Sequence, residues 1–126
     1  HHKHGEYLVR NAELSGLPDH DRDILACVIR YHGQSEPNAE HKVYASLRAS
    51  EQRDLRALVS LLRIADRLDS DHRQTVSDLR VRESPRGISI GARMKRTSEL
   101  ILWEAQRGAA LFEKEFARKV HVERLE

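Results

Sequence analysis

The sequence is short of several things, and each shortage narrows the reading. One cysteine, Cys27, rules out an intramolecular disulfide and suits a reducing cytoplasm. No apolar run approaches the roughly 20 residues that a bilayer-spanning helix needs, and no signal peptide is visible. A cytoplasmic protein without a membrane partner is therefore expected. Neither sign of charge prevails: a third of the residues are charged, yet the net charge is only +2. Such a mixed surface is that of an ordinary globular protein and argues against a specific nucleic-acid partner. There is no methionine at the start. The chain opens at His1 inside what already reads as a helix, so a piece of something longer is expected. Its 126 residues suffice for one genuine core.

The stretch that organises the rest is Ser50–Asp71, SEQRDLRALVSLLRIADRLDSD, with Ser50 as the expected N-cap. Leu55, Leu58, Val59, Leu61, Leu62, Ala65 and Leu68 recur at helical spacing. At about 100° per residue they fill one broad arc, and Arg53, Arg56, Arg63 and Arg67 gather opposite. Asp66 falls on the apolar arc, almost in line with Leu62, and Asp69 lies near it. A core-facing carboxylate costs roughly several kcal/mol if ionised and unpaired, so it calls for a metal, a cation or several donors. A structural salt bridge or a cap to a neighbouring helix is the plain alternative.

Upstream, HHKHGEYLVRNAEL reads as a first helix, with His1, His4, Leu8, Asn11 and Ala12 on one face. For His1 and His2 a purification-tag remnant is the competing reading. Ser15-Gly16-Leu17-Pro18 ends that helix. Asp19 to His32 is a second helix with an acidic first turn, and His32 closes the stripe of Leu25, Val28 and Ile29. A lone histidine at such a place usually donates to a backbone carbonyl. Gln34 to Ala49 is a long polar loop with Pro37 and His41, including a short helical turn near Val43–Leu47; ordered loops of that length are often functional.

Beyond Asp71 the period changes to two. Leu79 and Val81, a turn at Pro85-Arg86-Gly87, then Ile88 and Ile90 make a β-hairpin with one apolar face. A helix over about Thr97 to Ala117 carries Ile101, Ala105, Gly108, Ala109, Phe112 and Phe116 along one side, and its small residues would let it lie close on the hairpin. Lys119–Leu125 supplies a third strand. The β-β-α-β unit is expected to form a small antiparallel sheet under one helix.

His4, His32 and Asp66 thus come from three separate helices, with His1 and Asp69 as near neighbours. Imidazoles and carboxylates converging in a bundle are how divalent sites for zinc, manganese or iron are built, and such a site can ready a water for attack on phosphorus. No local signature comparable to HExxH accompanies the set.

HHKHGEYLVRNAELSGL, Arg30–His32 (RYH) followed by Pro37, LLRIADRLD at Leu61–Asp69, and LFEKEF at Leu111–Phe116 together resemble the C-terminal region of the exopolyphosphatase / guanosine pentaphosphatase family, nearly from end to end and in the same order. The resemblance implies a mainly α fold: an HD-type helical bundle over residues 1–72, truncated at its start, then a small α+β tail over 73–126, packed as one structural unit. It implies that phosphoanhydride hydrolysis of polyphosphate or guanosine pentaphosphate, with Mg2+, belongs to N-terminal actin-like lobes, so no catalytic residue is assigned in this chain. By resemblance to metal-using HD proteins, His4, His32 and Asp66, with Asp69 of the ADxxD pattern, match outer ligands of a divalent transition metal. The His-Asp dyad that names those proteins would lie just upstream of His1. Arg30, Arg63 and Arg67 are the candidate phosphate contacts.

Three readings follow. The first is an accessory domain that touches a long polyanion, contacts the actin-like lobes and forms a homodimer. The second is an independent HD-type metal-dependent phosphohydrolase. The third is a structural or dimerisation module, with the histidines and Asp66 satisfying one another in a hydrogen-bonded network.

Overall fold

The computed structural model describes residues 2–12, 15–33 and 35–126, and of His2 and Lys3 the helical backbone alone. The expected continuation of the first helix through Glu13 and Leu14, and the part assigned to His1, lie outside the described residues. The elements are α1 (His2–Asn11), α2 (Asp19–Tyr31), α3 (Lys42–Ser46), α4 (Ala49–Leu68), β1 (Val76–Ser84), β2 (Gly87–Met94), α5 (Glu99–Gly108), α6 (Ala110–Phe116) and β3 (Val120–Arg124). The fold is mainly helical with a small three-stranded sheet, as expected. No helix among the described residues is long and apolar enough to cross a membrane.

The chain forms two compact units, His1–Val59 and Ser60–Glu126. The sequence period changes near residue 72, but the division falls earlier, within α4. The reason lies in the second unit: Ile64 and Leu68 of the last turns of α4 are members of the core built on the sheet.

In the first unit α1 packs along α2. Ala26, Cys27, Tyr31, Val43, Tyr44, Leu47, Leu55 and Val59 are buried there. Helix α2 starts at the acidic turn of Asp19 and Asp21, which favours the positive end of its dipole. The N-cap of α4 differs from expectation. Ser50 lies inside the helix, and the backbone N–H of Arg48 donates to Glu51 Oε1 at 2.8 Å. That is the reciprocal half of a capping box, in which a carboxylate three residues in satisfies the backbone N–H before the helix. The Arg48 side chain and its backbone N–H both hold the Glu51 carboxyl below its ordinary pKa.

In the second unit the strand order is β1-β2-β3. Strands β1 and β2 form the expected antiparallel hairpin, in register from Asp78↔Arg93 to Ser84↔Gly87, with a bulge between Val76 and Asp78. Gly87 has φ 140°, and a Cβ there would stand 2.4 Å from the Lys119 carbonyl oxygen, so no other residue fits. Strand β3 pairs with β2 in parallel, which corrects the all-antiparallel expectation: the sheet is mixed. The cause is the connection, because a helix returning along the sheet delivers the chain to the end where β2 began.

The expected single helix of 97–117 is two, α5 and α6, parted at Ala109. Ser98 caps α5, accepting from the Ile101 N–H at 3.3 Å. Gly108 lies so close to α4 that a Cβ would meet Arg67 Cγ at 3.0 Å and the Arg63 carbonyl oxygen at 3.2 Å. Ala105, Ala109, Ala92, Val120 and Val122 complete the core beneath Ile64 and Leu68. Small residues facing one another set that close spacing.

Candidate functional site

Within the first unit, His4 stands exposed on α1. His32 is half-buried just past α2, with Nδ1 2.5 Å from the Ile29 carbonyl oxygen. A carbonyl only accepts, so Nδ1 carries a proton and donates. Arg30, the first of the three expected phosphate contacts, reaches both carboxylate oxygens of Glu6 at 3.2 Å. Both side chains of that pair are largely buried.

The long loop before α4 is held by an aromatic and polar lock. The Tyr31 hydroxyl is 2.6 Å from His41 Nδ1, and the two rings stack with centroids 5.6 Å apart. Tyr44 meets Tyr31 edge-on at 5.9 Å, Arg56 Nη1 donates to the Tyr44 hydroxyl at 2.7 Å, and Gln52 donates to the Tyr44 and Leu47 carbonyls. Burial, with the neighbouring Cys27 behind it, pushes the Tyr31 phenol up to about 12, so at neutral pH the hydroxyl keeps its proton. Burial likewise pushes the Cys27 thiol up to about 12, and carboxylates of Glu6 and Asp23 add to that. A thiol so raised is inert as a nucleophile.

Within the second unit, α4 is rotated from the orientation its leucines suggest. Ser60, Arg63, Ile64 and Leu68 are the buried positions, with Arg63 only 9% exposed, whereas Leu61, Leu62, Ala65 and Asp66 face outward. The premise that Asp66 faces a core is therefore corrected: Asp66 and Asp69 are both exposed. The physical reason is the close approach of α5 at Gly108, which lays α5 against the Arg63–Arg67 side and lets Arg67 Nη1 donate to Glu104 Oε2 at 2.8 Å. Asp69 Oδ1 accepts from the Gln74 backbone N–H at 3.1 Å and so ends the helix into the turn before β1. The neighbouring Asp71 carboxyl is held below its usual range, chiefly by the Thr75 hydroxyl that donates to it at 2.6 Å.

The four expected metal donors divide between the units, His4 and His32 in the first, Asp66 and Asp69 in the second. Among the described residues no three His, Cys, Asp or Glu side chains lie together closely enough to hold a metal ion. Of the expected phosphate contacts, Arg30 and Arg67 are each held by a carboxylate, and Arg63 is buried.

A basic group that the sequence reading missed lies at one end of the sheet. Ser84, Arg86, Gly87, Ser89, Lys119 and His121 surround a hollow of about 150 Å3. Arg86, Lys119 and His121 are exposed. The site is assembled by backbone: the Ile88 N–H donates to the Lys119 carbonyl at 2.8 Å, and the bare Cα of Gly87 lets the two strand ends close. Ser89 and His121 are register partners, so their side chains emerge on one face. Arg118 ties the hairpin end to the start of β3 through Glu83 Oε1 and the Ser84 carbonyl. Glu123 shares that face: its carboxylate accepts from the Ser89 hydroxyl at 2.8 Å and stands 3.7 Å from His121 Nε2. Arg86 and Lys119, the cations that line the hollow, suit a phosphate-like anion. The signal was legible only in part: alternation put His121 on the polar face of its strand, but Arg86 and Lys119 are far apart in the chain.

Residues 1–105 match the family model described as Ppx/GppA phosphatase, domain III. A comparison with curated proteins found no match.

Proposed function

The chain belongs to the Ppx/GppA phosphatase family, as its domain III, and from that membership we propose that it is an accessory, polyanion-contacting part of a cytoplasmic phosphoanhydride hydrolase. The substrate of the whole enzyme is polyphosphate or guanosine pentaphosphate. Bond breaking, with Mg2+, is assigned to actin-like lobes of the same protein, and the part of this chain is to hold a stretch of the polyanion and to contact those lobes. The observation that carries the polyanion role is the hollow at the sheet end, where Arg86 and Lys119 stand exposed, whereas Arg30, Arg67 and His121 each lie beside a carboxylate, of Glu6, Glu104 and Glu123. Solvated cations of this kind bind by charge, so the affinity is expected to fall steeply with salt.

The test is a titration with long-chain polyphosphate at several salt concentrations. Binding at low salt that weakens as salt rises, and drops about thirtyfold in the Arg86→Ala/Lys119→Ala double variant, supports the reading (two charge-assisted contacts at roughly 1 kcal/mol each). An absence of binding at low salt leaves only a scaffolding role, and unchanged affinity in the double variant moves the contact elsewhere.

A further inference from the structure

Along the outer side of β3, backbone groups end on side chains where a further strand would otherwise take them. Strand β3 pairs with β2 through its odd-numbered residues: the Lys119 carbonyl accepts from the Ile88 N–H at 2.8 Å, and the Leu125 N–H donates to the Ala92 carbonyl at 2.9 Å. In a parallel ladder the even-numbered residues then turn their N–H and C=O groups away from β2. Val120 and Val122 are such residues, and no strand lies on that side. Gln106 of α5 meets them instead. Its Nε2 donates to the Val120 carbonyl at 2.8 Å, and its Oε1 accepts from the Val122 N–H at 2.8 Å. The Val120 N–H donates to Glu113 Oε2 of α6 at 2.9 Å.

In a parallel pair, one residue of the neighbouring strand donates to the carbonyl of residue i−1 and accepts from the N–H of residue i+1. The Gln106 amide makes both bonds, one on each side of His121, with a single planar group. Positions 106 and 113 are about two helical turns apart, so both side chains descend from one side of the α5–α6 pair onto the same strand. An unpaired edge is a template for another chain, and each outward group left unmade invites a partner. Arg124 carries the next outward N–H, and among the described residues nothing accepts from it; its exposed charge guards that end of the edge in another way. Gln106, Glu113 and β3 all lie beyond residues 1–105, so the family match does not account for the arrangement.

We propose that Gln106 is a one-residue stand-in for a fourth strand and that, with Glu113, it closes the β3 edge to strand addition by any other chain. This goes beyond the polyanion role and does not rest on it. A strand can enter at β3 only when both side chains let go, because each holds a group that the incoming backbone needs.

Hydrogen exchange and light scattering of the intact protein test the proposal. In the wild type the Val120 and Val122 amides should exchange slowly although they point away from β2, and the Arg124 amide quickly. Gln106→Leu should speed Val122 by about tenfold or more and leave Val120 slow, and Glu113→Leu should do the reverse. The Gln106→Leu/Glu113→Leu double variant should form species larger than the wild type that grow with concentration. In those species both valine amides should be slow again, held by the added strand. Gln106→Glu keeps the acceptor and should leave Val122 slow, while amides of the β1–β2 ladder, unchanged in every variant, report that the sheet is intact. If the double variant loses those ladder amides, the two single variants decide, through the same crossed exchange pattern and a smaller gain in association. Variants no more associated than the wild type overturn the proposal. So do larger species whose valine amides stay fast, or a Val122 amide as fast in Gln106→Glu as in Gln106→Leu.

Discussion

In the first unit the polar groups turn inward and are tied to one another: Glu6 with Arg30, Tyr31 with His41, Tyr44 with Arg56. In the second the interior is apolar and built of small residues, Ala92, Ala105 and Ala109 among them, while the cations of the sheet end and the leucines of α4 stay outside. Polar locks hold a loop of irregular backbone in place, which dispersion alone does poorly, because directional partners fix orientation as well as distance. Alanines and valines between helix and sheet instead permit close approach, and they leave the larger apolar side chains to cover something else. The first arrangement specifies a shape. The second leaves basic side chains at the sheet end and leucines of α4 in solvent.

The contrast can be broken most directly on α4, where one residue type appears in both settings. Leu55→Ala should cost about 2–5 kcal/mol of stability, since Leu55 is fully buried in the first unit. Leu61→Ala, at an exposed position, should stay within about 0.5 kcal/mol in dilute solution. Urea denaturation of both variants decides it, and equal losses would mean that the helix presents a different face. Next in size, Gly87→Ala in the second unit should cost about 2–3 kcal/mol, combining the strain of φ 140° with the clash on the Lys119 carbonyl. A loss under about 0.5 kcal/mol in thermal or urea unfolding would show that the strand ends are not locked there.

A third effect is a slope against pH in the first unit. Burial pushes the Cys27 thiol up to about 12 in the folded chain from its ordinary 9.0. The folded state therefore keeps a proton that the unfolded state gives up, and the stabilisation is complete below pH 9 and is lost as pH climbs toward 12. Tyr31 follows the same sign from about pH 10. Stability should decline above pH 9, and Cys27→Ala should flatten that decline by up to about 1.4 kcal/mol per pH unit. Urea midpoints between pH 8 and 11 measure it. A slope unchanged by the substitution would deny the thiol its share.

Much of the fold was legible because local patterns carried it. The acidic turn at Asp19, the hairpin around Pro85-Arg86-Gly87 and the small residues at 105, 108 and 109 all act through neighbours close in sequence or through a period. The misread points share another character. The leucines of α4 outnumber every other apolar group on the wheel, so the wheel places its apolar arc through Leu61 and Leu62, yet the packed side runs through Ser60 and Arg63. A helix wheel ranks faces by composition, whereas α5 chose the face that Gly108 could approach. Arg63 and Arg67 were likewise expected to be outward and ready for phosphate, but one is buried and the other holds Glu104.

By itself the sequence determined the family, the order of helices and strands, and the apolar period of each, because these depend on residue type and spacing along one segment. Only the tertiary structure decided that β3 runs parallel to β2, that α4 turns its leucines and Asp66 outward, and that Arg86, Lys119 and His121 share a hollow. Those outcomes depend on how near two backbones can come, at Gly108 against α4 and at Gly87 against Lys119. Closeness between distant segments is a property of packing, and no single stretch of residues carries it.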